Sequence, residues 1–150
     1  MIPPEKRAAG VYVRGDLLTV VAIDRNAAGH GIDRPDPDVF SREVATAEEI
    51  GRSVIAALIS NHANAPLQPW QDPDSPTVWK ALGFKSEATW LRGLKSADVR
   101  QVDYQSARIS ATSRRGASFT FLKSPVIEVD LNDPVAVGEG VLSALAASRG

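Results

Sequence analysis

The chain has 150 residues, 43% of them hydrophobic and 23% charged, with a formal net charge of −1 at pH 7. This length predicts a single domain, residues 1–150, that buries its core without disulfides or metals. The absence of cysteine excludes a disulfide framework, thiolate catalysis and any cysteine-based zinc or iron–sulfur site. With two histidines, His30 and His62, a histidine-rich metal centre is not expected either, and no cofactor is implied. No run approaches the roughly 18–20 apolar residues of a membrane span, and Met1 to Arg7 lacks the apolar segment of a secretory leader.

Val11-Tyr12-Val13 and Leu17 to Ile23 are rich in β-branched residues and meet across Gly15-Asp16, which predicts a hairpin. Asp24 to Asp38, with its glycines, prolines and acids, reads as a loop, and a short strand is expected through Val39 to Val44. Thr46-Ala47-Glu48-Glu49 is a capping box, in which the threonine hydroxyl and the glutamate satisfy each other's backbone amides. Behind it Ile50, Val54, Ala57 and Leu58 recur on one helical face, and Asn61 ends the helix. His62, just beyond, is expected to sit at the negative end of the helix dipole.

A proline-rich connector with Trp70 follows, from Ala65 to Pro76. Ser75-Pro76 starts a short helix through Trp79 to Leu82, and Ser86-Glu87 caps another through Trp90, Leu91 and Leu94. Trp79 and Trp90 are spaced as core anchors, whereas Trp70 is expected to be exposed. Strands are expected over Asp98 to Tyr104, Arg108 to Thr112, Ala117 to Leu122 and from Pro125 to Val129. Ile109/Ala111 and Phe119/Phe121 alternate as core residues do. Asp133-Pro134 then opens a helix faced by Val137, Val141, Leu142 and Leu145.

The two long helices overlay at an offset of 87. Ile50-Gly51 falls on Val137-Gly138, Val54-Ile55 on Val141-Leu142 and Ala57-Leu58 on Ala144-Leu145, with Val39-Phe40 on Val126-Ile127. This predicts a strand–strand–strand–helix unit used twice, about 10–61 and 97–150, around a helical connector of about 62–96. The matched glycines predict a close packing contact, because glycine costs a helix about 1 kcal/mol against alanine. Antiparallel sheet with helices packed on one side makes the expected fold α+β.

Charge is unevenly spread. Residues 31–75 hold eight acids against three bases, and 76–123 hold nine bases against three acids. Either the two regions lie side by side and neutralise each other, or the molecule is polarised enough to steer a charged partner. Catalytic and nucleotide-binding motifs are missing: there is no G-x-G-x-x-G, no P-loop and no nucleophile elbow around Ser53. Asp33, Asp36 and Asp38 alternate with prolines and lack the continuation of a calcium loop, and no metal is expected there. Enzymatic activity, centred on His30 and the neighbouring aspartates, is the weakest reading. Nucleic-acid binding through the basic strands near Arg100, Arg108, Arg114 and Arg115 is the alternative.

Trp79-Lys80-Ala81-Leu82-Gly83-Phe84-Lys85-Ser86, followed by Trp90-Leu91-Arg92-Gly93-Leu94-Lys95-Ser96, resembles a stretch of the immunity proteins of contact-dependent growth inhibition systems. The likeness extends from about Ile50 to the C-terminus. It implies a cytoplasmic, non-catalytic protein that neutralises the C-terminal toxin domain, commonly a nuclease, of a large surface effector. No nucleic acid or membrane partner is implied. Nuclease grooves are basic, so the expected toxin-binding residues are Asp33, Asp36, Asp38, Asp72 and Asp74, with Trp70 as an aromatic contact.

Overall fold

In the computed structural model, residues 2–67 and 71–150 are described, which leaves Trp70 outside the described residues. After a single turn of 3₁₀ helix at Pro4–Lys6, the chain forms β1 (Ala8–Arg14), β2 (Leu17–Arg25), β3 (Gly31–Asp33), β4 (Asp38–Ser41) and α1 (Ala47–Ser60). The connector carries the short helices α2 (Val78–Ala81) and α3 (Glu87–Leu91). Then come β5 (Lys95–Gln101), β6 (Ser106–Arg115), β7 (Ser118–Asp130) and α4 (Pro134–Ala147). The strands make one antiparallel seven-stranded sheet in the order β3-β2-β1-β5-β6-β7, with β4 pairing β2 beside β3.

Alternation along the strands divides the molecule into two layers of apolar packing. Ala9, Val11 and Val13 of β1, Leu18 and Val20 of β2, Ala97 and Val99 of β5, and Ile109 and Ala111 of β6 face α1 and α4. Val54 and Leu58 of α1 and Val137, Val141 and Leu145 of α4 complete this core; burying each such side chain stabilises the fold by roughly 1.5–3 kcal/mol. The opposite face is covered only in part, where Val78 of α2, Trp90 of α3 and Leu94 close over Val21 and the edge of Tyr12.

Local chemistry sets the helix ends as the sequence predicts. Thr46 Oγ1 accepts from the Glu49 amide at 3.2 Å while Glu49 Oε1 accepts from the Thr46 amide at 3.1 Å. Asp133 caps α4 through the Ala136 amide, with Pro134 at its first position. Two boundaries move: Thr77, not Ser75, caps α2, and α3 stops at Leu91 because the chain turns at Gly93, whose φ is +73°.

Element lengths and offsets match between the two halves. β1 and β5 are both seven residues long and start 87 positions apart, at 8 and 95; α1 and α4 are both fourteen residues long and start at 47 and 134. The helices cross at their equivalent glycines. A Cβ on Gly51 would lie 1.8 Å from the Pro134 carbonyl oxygen, and one on Gly138 would lie 1.8 Å from the Ala47 carbonyl oxygen. The two contacts occupy matching positions on the two helices, and at both only glycine permits this approach.

Three expected elements are corrected. Residues 24–38 are not all loop: Asp24 belongs to β2, and β3 forms inside the segment by pairing Gly31–Asp33 with Ile23–Arg25. The strand expected over Val39–Val44 is β4, which ends at Ser41. The segments expected as separate strands after Gly116 are one strand, β7, whose pairing with β6 breaks between Ser110 and Thr112.

Candidate functional site

Asp33, Asp36 and Asp38 all lie on the outer edge formed by β3, β4 and the loop between them, yet each has a different environment. Asp33 stands across from Ile23 on the face opposite α1, where its carboxylate accepts from the Tyr12 hydroxyl at 2.7 Å. Asp38 opens β4 and accepts from the Ser53 hydroxyl at 2.6 Å, tying the edge to α1. Asp36 is exposed in the loop, with no hydrogen-bond partner among the described residues. Asp72 and Asp74 lie in the connector, where Asp72 Oδ1 accepts the Asp74 amide at 2.9 Å; no described hydrogen bond joins them to the β3–β4 edge.

The loop is anchored at its start by Arg34. Its guanidinium makes a two-pronged contact with Asp24, both bonds 2.8 Å, and reaches the Ser60 carbonyl at 2.8 Å and hydroxyl at 3.0 Å. The hydrogen bond to Asp24 holds the Arg34 guanidinium above its ordinary value. The Asp24 side chain is 3% exposed and also receives the His62 amide and Nε2, each at 3.1 Å. His62 follows the Asn61 cap of α1, at the expected helix end, and is held there by Asp24. His62 Nδ1 accepts the Asn64 amide at 3.1 Å, which leaves Nε2 as the donor to Asp24.

Sequence reasoning missed two acids here. Asp16, in the β1–β2 turn, accepts from the Ser41 hydroxyl at 2.6 Å and the Glu43 amide at 2.8 Å, which pull its carboxyl below the ordinary value. Asp98 of β5 shares the face of Tyr12 and Asp33 and meets Arg100 Nε at 3.0 Å. Desolvation raises the carboxyls of both Asp33 and Asp98. The Tyr12 hydrogen bond opposes the rise in Asp33 while the Asp98 charge adds to it; Arg100 opposes the rise in Asp98. Desolvation and the Asp33 charge together push the Tyr12 hydroxyl well above its usual value. Only the period-2 pairing of distant strands brings these residues together, and no local signal announces it.

Strand order separates the charges. The acidic β3–β4 edge and the basic β6–β7 hairpin, with Arg114, Arg115 and Lys123, are at opposite ends of the sheet. The sheet is not flat, however: Phe119 of β7 packs 5.9 Å from the Tyr12 ring, and the Tyr12 hydroxyl holds Asp33. Acids and bases of the two regions thus share one face around Tyr12, where Asp33 and the Asp98–Arg100 pair both lie. Among the arginines of the alternative reading, Arg100 pairs with Asp98 and Arg108 with Glu128 at 3.2 Å. Phe121, expected in the core, is 52% exposed on the face away from α1 and α4, under the Arg100 guanidinium at 5.1 Å. Phe119 packs partly buried with Tyr12.

No group of three or more His, Asp or Glu side chains among the described residues is arranged to hold a metal ion. His30 is exposed in the β2–β3 turn, its amide bonded to Asn26 Oδ1. No described helix is long and apolar enough to cross a membrane.

No protein-family model matches the chain, and no curated protein matches it. Solved structures do. A protein of unknown function from Neisseria meningitidis, 17% identical, superposes with a TM-score of 0.74 over 99% of both chains. A chain of the CdiA-CT/CdiI toxin and immunity complex from Yersinia pseudotuberculosis, 15% identical, superposes with a TM-score of 0.70 over 95% of this chain and 97% of that one. At these identities the likeness is one of fold.

Proposed function

We propose that this chain is an immunity protein of a contact-dependent growth inhibition system, acting in the cytoplasm by binding a toxin domain without catalysis. The observation that carries the reading is the near end-to-end likeness, over 95% of this chain, to a chain of a toxin and immunity complex. The acidic residues Asp33, Asp36 and Asp38 along the β3–β4 edge support a partner chosen electrostatically.

In this reading the β3–β4 edge is the toxin-binding surface and the toxin presents a basic groove, as a nuclease does. Asp36 is the uncommitted charge. Asp33 and Asp38 add theirs while holding the edge to Tyr12 and to Ser53. Asp72 and Asp74 of the connector are the further toxin contacts in this reading. The carboxylates opposite Arg100 and Arg108 weaken the nucleic-acid alternative, because a phosphate backbone would have to displace them.

The test is titration calorimetry against the toxin domain encoded beside this gene, with growth rescue alongside. The expected result is a nanomolar complex and restored growth. A folded toxin domain that neither binds at micromolar concentration nor is neutralised would overturn the reading.

A further inference from the structure

A second feature lies at the end of the sheet where the 3₁₀ turn Pro4–Lys6, the β2–β3 turn and the segment after α1 converge. They enclose an open cleft of about 570 Å³. That volume falls in the range of small-molecule sites, roughly 300–1,000 Å³. Its lining holds two cations, Lys6 and Arg25, and no carboxylate, although the neighbouring edge is acidic. Asp24, which touches the lining residue His62, is already saturated by Arg34.

The cations differ in how they are held. Arg25 Nη1 donates to the Gly29 carbonyl at 2.9 Å and Nε to the Lys6 carbonyl at 3.4 Å, which fixes the guanidinium and leaves Nη2 without a partner among the described residues. The Lys6 ammonium has no described partner. Asn26, 4% exposed, also lines the cleft. Its Oδ1 accepts the Ala28 and His30 amides, both at 3.0 Å, so the amide cannot turn over, and its Nδ2 has no hydrogen-bond partner. That nitrogen is enclosed, so the donors open to the cleft are those of Arg25 and Lys6. Ile2, Pro3, Ala27 and Ala63 supply apolar wall beside these donors.

We infer that this cleft binds a small organic anion, its phosphate or carboxylate head against Arg25 and Lys6 and its apolar body against Ile2 and Pro3. The inference is independent of the toxin: it concerns the free protein and the end of the sheet where β2 finishes.

The experiment is a ¹⁵N-correlation NMR titration of the full chain with three probes: inorganic phosphate, adenosine monophosphate and benzoate. Saturable shifts are expected at the 26–30 and 61–64 backbone, with a dissociation constant of about 1 mM or tighter for at least one organic anion. Inorganic phosphate should bind more weakly than adenosine monophosphate. A larger response to benzoate than to either phosphate would assign a carboxylate head. Lys6→Gln, at an exposed position, and Arg25→Gln should each weaken binding about tenfold. Three results overturn the inference: no saturable shift with any probe, shifts equally large at the Arg114–Arg115 hairpin, or full affinity in a folded Lys6→Gln protein.

Discussion

Shifted by 87 positions, β3 and β4 fall on residues 118–120 and 125–128, inside β7, so the two outer edges of the sheet lie at matching offsets in the chain. Their chemistry is opposite. The loop Arg34-Pro35-Asp36-Pro37 interrupts one edge, where Phe121-Leu122-Lys123-Ser124 runs through the other as continuous strand. Asp36 thus answers to Lys123. The acidic edge is also tied down, through Arg34 to Asp24 and through Asp38 to Ser53, whereas the basic edge has the exposed pair Arg108–Glu128. The inner strands and the helix pair keep one geometry in both halves because they share a packed core. The edges, freed from that constraint, carry what differs.

The sharpest way to break the shared part is to crowd the helix crossing. Gly51→Ala and Gly138→Ala each drive a methyl into a backbone carbonyl. Each should lose about 3 kcal/mol or more in urea unfolding, despite the roughly 1 kcal/mol that alanine gains in a helix. Gly140→Ala meets the Ile109 Cδ1 side-chain atom at 2.9 Å and should lose less, since a side chain can move. A neutral Gly51→Ala would contradict the crossing.

The edges separate next. Asp24→Ala strips a buried carboxylate from Arg34 and His62 and should cost about 3 kcal/mol. Glu128→Ala, which removes the exposed partner of Arg108, should change stability by less than about 0.5 kcal/mol. Equal losses at the two edges would remove the distinction between an anchored and a loose edge.

A smaller effect is expected from pH. Asp33 and Asp98 are held above the ordinary carboxylate value, so the folded state binds those protons more tightly than the unfolded one. Stability therefore falls as pH rises from the unfolded value, about 3.9, through their raised folded values. Asp16 and Asp103 are held below it, and what they contribute is lost only as pH falls through their depressed values. Urea midpoints should thus hold or rise slightly as pH drops from 7 to about 5. Asp98→Asn, which keeps an oxygen for Arg100, should flatten that slope; an unchanged slope would remove Asp98 from it.

How legible each part was in the sequence follows from the range of the forces that make it. Both long helices were readable because their signals are local: the Thr46–Glu49 box, Asp133-Pro134 and the apolar stripes. The glycine match at 51 and 138 even pointed to the close crossing. β3 was not readable, because three residues beside prolines acquire strand geometry only by pairing with Ile23–Arg25. Phe119 and Phe121 alternate as core residues would, but period 2 does not say which face the helices cover. Asp33, Asp36 and Asp38 were readable as a charged group; that Asp33 meets Tyr12 and Asp38 meets Ser53 depends on contacts across 21 and 15 positions of chain.

The most direct measurement is the association rate of the toxin domain with the wild-type protein and with Asp33→Asn/Asp36→Asn/Asp38→Asn, over a series of salt concentrations. Asparagine keeps an acceptor for Tyr12 and Ser53 while removing the charge. The account predicts slower association by about tenfold or more at low salt and a flatter salt dependence, with dissociation changed much less. Wild-type binding with identical rates and salt slopes in the variant would contradict an acidic toxin-binding edge.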